Sequence, residues 1–186
     1  MAILRKIRDA IVLVCMLVLG LLILAKLEQQ QGSTYSGPFW AVDGDTVSDA
    51  GERLRLAGID APELAQTCEH NNRPWPCGRV ARDRLQALVT AREVRCEGFS
   101  QDKYHRVLVT CRNGEEDLAA LLVREGLAVS YGRHQSEEAA ARAAGRGLWA
   151  GPFMRPQDYR RQQGLAEEDI GDAWLSRLVD WLFCLM

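Results

Sequence analysis

The chain has 186 residues, with 23 basic and 25 acidic side chains and a formal net charge of −2. Hydrophobic residues make up 47% and charged residues 26%, a composition that excludes a fibrous or wholly disordered chain. The balance of charge excludes a protein that coats polyanions through a general basic surface. The basic residues are lopsided in kind: Lys occurs only at 6, 26 and 103, and the other 20 are Arg. Arg grips phosphate with two N–H groups and keeps its charge, although a GC-rich coding bias produces the same skew.

Ala10 to Ala25 runs 16 residues without a charge, behind Arg5, Lys6 and Arg8. As a helix this stretch is about 24 Å long, a little under a ~30 Å hydrocarbon core. Lys26 can snorkel outward and bring Leu27 into the span. The basic flank is expected to stay in the cytoplasm, which puts everything after Lys26 outside. The expectation is therefore a cytoplasmic basic segment over 1–9 and a single-pass transmembrane signal anchor over 10–27. A cleaved signal peptide, with secretion, is the alternative, but Ile23-Leu24-Ala25 is a poor small-x-small cleavage site.

Residues 28–36 are polar and contain Gly and Ser, and are expected to be a linker to a domain over 37–156. Phe39 to Val47 is strand-like, interrupted at Asp43-Gly44-Asp45, and Asp49-Ala50-Gly51-Glu52 predicts a hairpin turn. In the next strand Leu54 and Leu56 face one way, Arg53 and Arg55 the other. Ala81, Leu85 and Leu88 fall at helical spacing, as do Leu118, Leu121 and Leu122, with Gly126 placed to stop the second helix. Ser136 is expected to cap a third helix, with Glu137 and Glu138 in its first turn and Gly147 near its end. Short antiparallel strands with a few helices suggest a small closed barrel. Residues 157–172 are polar and acidic, and 173–186 place Trp174, Leu175, Leu178, Trp181, Leu182 and Leu185 on one face of an amphipathic helix. That face is expected to contact the barrel, a partner protein or another subunit rather than the membrane, because Arg177 is its one cation.

Four cysteines in the domain agree with an oxidising compartment and predict two disulfides. Val94 to Glu97 and Arg106 to Cys111 alternate as strands; paired as a hairpin turning between Lys103 and Tyr104, they bring Cys96 opposite Cys111. Cys68 and Cys77 would then close a loop rich in turn formers. A zinc site using Cys68, His70 and Cys77 is the competing reading, and it lacks the paired spacing of a zinc module.

Four segments carry chemistry: Val42-Asp43-Gly44-Asp45-Thr46, Arg55-Leu56-Ala57-Gly58-Ile59-Asp60-Ala61-Pro62-Glu63, Asp102-Lys103-Tyr104-His105-Arg106, and Leu122-Val123-Arg124-Glu125-Gly126-Leu127-Ala128. Singly, each has an ordinary structural explanation as a turn, a strand end or a solvated Arg. Together and in this order, from about Trp40 to Trp149, they resemble the staphylococcal nuclease (thermonuclease) family. The resemblance implies a mainly β fold with α, an OB-type five-stranded barrel with about three helices, and calcium-dependent hydrolysis of phosphodiester bonds in DNA and RNA. Matched residue by residue, it implies Asp45, Asp60 and the backbone carbonyl of Ala61 as calcium ligands. It implies Glu63 as the base at the attacking water, with Arg55 and Arg106 flanking the phosphate. Lys103, Tyr104 and Tyr131 match positions that contact bound nucleotide. His105 stands where the family usually has Gly, and the Cys68–Cys77 segment is an addition beside the metal loop.

The residues themselves agree with those roles. Calcium takes several oxygen ligands, and clustered carboxylates need a cation to offset their repulsion. Guanidiniums aimed at a phosphate stabilise charge that grows during attack. From 37 to 156 there are 16 basic and 17 acidic residues, so affinity for long nucleic acid is expected to be modest and salt-sensitive, favouring single-stranded or frayed substrate. Two other functions fit the same chain: an OB-type nucleic-acid-binding module without turnover, and an envelope-tethered scaffold whose terminal helix binds a partner. An intact set of Asp45, Asp60, Glu63, Arg55 and Arg106 speaks against the binding module, and for the scaffold deleting the tail would remove the phenotype while Glu63→Ala would leave it untouched.

Overall fold

The computed structural model describes residues 2–28, 32–70, 72–90, 93–102, 104 and 106–164. Lys103, His105 and the amphipathic helix expected over 173–186 lie outside the described residues.

The N-terminal apolar run is part of one helix, α1 (Ala2–Glu28). Its segment Arg5–Leu24 has a mean hydropathy of 2.6, with no part buried against the rest of the protein, so α1 is long and apolar enough to cross a membrane.

The domain begins with β1 (Thr34–Ser36), β2 (Trp40–Ala41), β3 (Thr46–Asp49), β4 (Glu52–Leu56) and β5 (Ile59–Asp60). A small hairpin follows, β6 (Cys68–His70) and β7 (Arg73–Trp75), then α2 (Cys77–Val89). The long strands β8 (Val94–Gln101) and β9 (Val107–Asn113) lead into β10 (Glu116–Asp117) and α3 (Leu118–Arg124). The described chain closes with β11 (Val129–Ser130), α4 (Gln135–Ala143), a 3-10 turn (Gly147–Ala150) and α5 (Pro156–Gln162). The main sheet runs β1-β8-β9-β4-β3-β2, with β10 paired on β9. It is antiparallel except where β4 meets β9, and it curls into a half-barrel.

Alternation explains the sheet. Leu54 and Leu56 of β4 are buried with Val47 of β3 and Val109 of β9, and α2 covers this face with Ala81, Leu85 and Val89. Leu118 and Leu122 of α3 complete the core. The β3–β4 turn is a two-residue hairpin loop with both central residues left-handed, Ala50 at φ 47° and Gly51 at φ 95°. That turn matches the natural twist of the flanking strands, and Gly51 accepts the conformation without a Cβ penalty.

The β8–β9 hairpin pairs Cys96 with Cys111, as the sequence predicts, and the two form a disulfide with Cα atoms 4.0 Å apart. The register slips between Gly98 and Ser100, so the strand ends pair Gln101 with Val107. A bulge of this kind bends the strand and tightens a barrel. Cys68 and Cys77 form the second disulfide, which consumes both thiols of the alternative zinc site. The Cys96–Cys111 bond closes a sequence separation of 15. Replacing both cysteines with Ala is expected to lower stability by about 3 kcal/mol, read from the denaturant midpoint in oxidising buffer.

Three local expectations need correction. Thr34–Ser36, inside the expected linker, pairs with β8 as an edge strand, because Gly98 N–H donates to the Ser33 carbonyl at 2.7 Å and Tyr35 packs on the core. Ser136 does not cap α4. The helical ladder already starts with Glu138 N–H donating to the His134 carbonyl, so Ser136 lies in the first turn and donates to Glu137. Part of the expected acidic linker is helical, as α5.

Candidate active site

Asp45 stands in the turn that joins β2 to β3. Its backbone N–H donates to the Asp43 carboxylate at 3.0 Å, an Asx-type turn that fixes the direction of the loop. The Leu56 N–H donates to its carbonyl at 2.8 Å and locks the loop to the end of β4. Asp60 closes β5, which pairs with β11. Both acids are almost fully buried, at 3% and 5% exposure.

Buried carboxylates need donors or counter-charges. The Asp45 carboxylate accepts from the Ala61 N–H at 3.0 Å, the Thr46 hydroxyl at 3.0 Å and Arg55 Nη1 at 2.6 Å. Arg55 Nη2 donates to Asp60 at 3.1 Å, so one guanidinium spans the pair. Arg55 reaches them because it lies on the face of β4 opposite Leu54 and Leu56. Burial, with Asp43 adding to it, pushes the Asp45 carboxyl up to about 6 against the pull of Arg55 and the Ala61 N–H. For Arg55, burial alone would lower the pKa, but Asp45, Asp60 and Asp43 outweigh it and hold the guanidinium above its usual value.

Glu63 sits in a loop held from three sides. Its N–H donates to Gln66 Oε1 at 3.2 Å, and the Gln66 N–H returns a bond to the Glu63 carbonyl at 2.7 Å. Gln66 is 1% exposed and donates through Nε2 to the Met154 carbonyl at 2.7 Å. The first turn of α2 presses so closely that a Cβ on Gly78 would lie 1.8 Å from the Glu63 carbonyl oxygen, which only Gly permits. The Gly78 N–H, next to the Cys68–Cys77 disulfide, donates to the Gln66 carbonyl at 3.3 Å, so the end of the added segment buttresses the Glu63 loop.

On the opposite wall, Asp102 organises Arg106. One Asp102 oxygen accepts from the Tyr104 and Arg106 N–H groups at 2.9 Å each, and the other accepts from Arg106 Nε at 2.8 Å and is ion-paired with Nη2 at 2.7 Å. Burial works to raise the Asp102 pKa, but the Arg106 and Tyr104 donors prevail and hold it below the usual carboxylate range. The Arg106 guanidinium also lies over the Tyr104 ring, 5.0 Å from its centroid. Tyr131 is 68% exposed, with its N–H bonded to the Gly58 carbonyl at 2.9 Å.

These elements surround one cavity of about 1180 Å³. Asp45, Asp60, Ala61 and Glu63 line it, as do Arg55 and Arg106, and Tyr104 and Tyr131 reach it too. Every described residue that the sequence singled out for metal, catalysis or nucleotide contact therefore meets in one place. Residues 53–151 match the family model described as Staphylococcal nuclease homologue, 99 of 186 positions. The chain belongs to the staphylococcal nuclease family.

Among individual proteins it is similar to Succinoglycan biosynthesis protein ExoI of Rhizobium meliloti (strain 1021). The two are 35% identical over 116 residues, covering 58% of this chain and 61% of that protein. It is also similar to proteins called Probable endonuclease LCL3. The one from Verticillium alfalfae is 32% identical over 150 residues, covering 68% of this chain and 49% of its own length. The one from Schizophyllum commune is 28% identical over 172 residues, covering 73% and 58%. The chain thus spans between about half and three-fifths of the length of these relatives.

The staphylococcal nuclease match opens at Arg53 and closes at Gly151, so Asp45 precedes it and joins the site through the fold. Arg160 of α5 follows it. That residue was not foreseen: its Nη1 donates to Asp60 at 3.1 Å and to Glu63 at 2.8 Å, and its Nη2 donates to the other Asp60 oxygen at 3.1 Å. Burial acts to lower the Arg160 pKa, but its bonds to Asp60 and Glu63 win and raise it. The side chains at this corner of the cavity, two Asp carboxylates and Glu63, offer the oxygen ligands that a hard cation prefers. Among the described residues, no three His, Cys, Asp or Glu side chains are drawn together as a ligand cluster. Arg55 and Arg160 stand among the acids instead.

Proposed function

We propose that this protein is a calcium-dependent nuclease that hydrolyses phosphodiester bonds of DNA, RNA or both outside the cytoplasm, held by α1 as an uncleaved membrane anchor. The observation that carries this reading is the meeting of Asp45, Asp60, Glu63, Arg55 and Arg106 on a single cavity. Two disulfides and the basic residues of α1 ahead of its apolar run support the compartment.

Asp45, Asp60 and the Ala61 carbonyl are the groups that would hold the cation. Bound there, calcium supplies positive charge that favours hydroxide as the attacker and offsets charge on the phosphate. Glu63 takes the proton from the attacking water, and its doubly tethered loop keeps the carboxylate aimed. Arg55 approaches from β4 and Arg106 from the loop just before β9, and the two stabilise the negative charge that builds on the non-bridging oxygens. Asp102 positions Arg106 for that contact. As the bond to the leaving oxygen breaks, that oxygen takes a proton from solvent water, and Arg106, whose guanidinium keeps its own protons, would offset the negative charge that forms there. Tyr104 and Tyr131 offer exposed rings on which unpaired bases stack, which favours single strands over intact duplex.

Digestion of end-labelled single-stranded and blunt duplex DNA by the full chain tests this reading. Calcium-dependent cleavage that a chelator abolishes, faster on the single strand, is the expected result. No cleavage with calcium present would leave a binding module, and equal rates on both substrates would remove the stacking role.

The elevated Asp45 carboxyl adds a pH signature. A carboxylate whose folded pKa is raised contributes stability below its unfolded value that is lost as pH rises through about 6. Protons therefore compete with the cation across the same window. The rise in Tm on adding calcium at a fixed subsaturating concentration is expected to be largest above about pH 7 and to shrink as pH falls through about 6. A calcium effect persisting unchanged to about pH 4, where ordinary carboxylates protonate, would contradict it.

A further inference from the structure

Arg160 grips both oxygens of Asp60 and one of Glu63 from a seven-residue helix outside the family match. A helix this short is not stable by itself, so its place is imposed by the domain. The segment leading to it is pinned to the disulfide lobe: Gln66 donates to the Met154 carbonyl at 2.7 Å, and the Glu69 N–H donates to the Pro152 carbonyl at 3.3 Å. Arg155 pairs with the buried Glu138 at 3.4 Å, and Pro156, the first residue of α5, is buried. The contact that results is a built one, since the Arg160 side chain is 27% exposed and the Asp60 side chain 7%.

A divalent cation bonded to carboxylate oxygens lies roughly 2.3–2.6 Å from them. A guanidinium on those same oxygens would then stand within a few ångströms of it, with like charge. Arg160 occupies both Asp60 oxygens and one of Glu63, whereas Arg55 takes only Oδ1 of Asp60 and leaves Oδ2 free of it, so a cation that bonds Asp60 and Glu63 competes first with Arg160. We propose that Arg160 is the resident counter-cation of Asp60 and Glu63 in the ion-free protein, and that a divalent cation binds the site only by displacing it. This rests on the reading of Asp45, Asp60 and Glu63 as a cation site. It explains how a buried carboxylate cluster stays folded without its ion: Arg55 neutralises one side and Arg160 the other. It also makes ion affinity depend on the cost of releasing the Arg160 contacts.

Calcium chloride titrated calorimetrically into the full chain in detergent micelles tests the proposal, together with Tm at zero and saturating calcium. Arg160→Gln is expected to bind calcium about tenfold tighter than wild type, equivalent to ~1.4 kcal/mol. Its Tm is expected to fall without calcium and to converge on wild type at saturation, where Arg160 no longer holds the acids. Arg161→Gln removes the same charge from the same helix, but Arg161 pairs with Asp158 at 3.6 Å on an exposed face. It is expected to change calcium affinity by less than about twofold. Arg160→Lys keeps a charge but loses the two-oxygen grip; it also tightens calcium binding, by less, and serves if the Gln variant fails to fold without calcium. Equal or weaker calcium binding by the position-160 variants, or a Tm deficit that persists at saturation, would make Arg160 a plain structural strut and overturn the proposal. No calcium binding by any of the proteins, wild type included, would overturn the cation site itself.

Discussion

Replacing Arg55 with Ala should cost about 10²–10³ in kcat and about 3–5 kcal/mol of ion-free stability at once. The two losses share one cause. Arg55 bridges Asp45 and Asp60, whose side chains are 4% and 7% exposed, so its removal leaves the buried Asp45 carboxylate without a counter-charge and only Arg160 on Asp60. In the proposed mechanism the same guanidinium also faces the phosphate, and its loss would remove charge stabilisation that grows during attack. Calcium should restore part of the stability, because a divalent cation supplies the missing charge, but not the rate. Arg55→Lys should rescue neither fully, since an ammonium cannot reach Asp45 Oδ1 and Asp60 Oδ1 together with the planar fork. Initial rates on labelled single-stranded DNA and denaturant unfolding with and without calcium separate these effects. A variant that loses rate but no stability would mean that Arg55 does not neutralise the buried pair.

Glu63→Gln should behave differently, with kcat lowered by about 10²–10⁴ and little change in KM or stability. The Glu63 side chain is 31% exposed, and its loop is held through backbone and Gln66 bonds that the substitution leaves in place. Gln keeps the shape and loses the ability to take a proton. Arg160 retains both of its bonds to Asp60. Steady-state kinetics at saturating calcium check this, and a loss confined to KM would assign Glu63 to substrate binding instead of proton transfer.

Much of this site is legible in the sequence because its parts are local. Asp60, Ala61 and Glu63 follow one strand in a fixed run, and Asp45 sits in an Asp-Gly-Asp turn whose geometry its own residues dictate. Alternation around Cys96 and Cys111 set the hairpin register correctly as far as the bulge at Gly98, where a slip depends on packing rather than on pattern. The expected linker at 28–36 held a strand because Thr34–Ser36 pairs with a partner some sixty residues away, and three polar-leaning residues carry no periodic signal. Arg160 was illegible for the same reason in stronger form. It contacts Glu63 and Asp60 across 97 and 100 residues, from a stretch whose composition is that of a linker. Its nearest local hint was Pro156, well placed to open a short helix. Gln66, which aims Glu63, lies outside every motif in the sequence, and Asp102, although it opens one, shows its grip on Arg106 only in the fold.

A crystal structure of the full chain with calcium and a dinucleotide whose bridging phosphate is a slowly cleaved phosphorothioate tests the central claim most directly. The expected result is a cation bound by Asp45, Asp60 and the Ala61 carbonyl, the phosphorus group between Arg55 and Arg106, and Arg160 turned away from Asp60. A phosphorothioate seated elsewhere on the barrel, with the carboxylates still clasped by Arg55 and Arg160 and no ion among them, would contradict it.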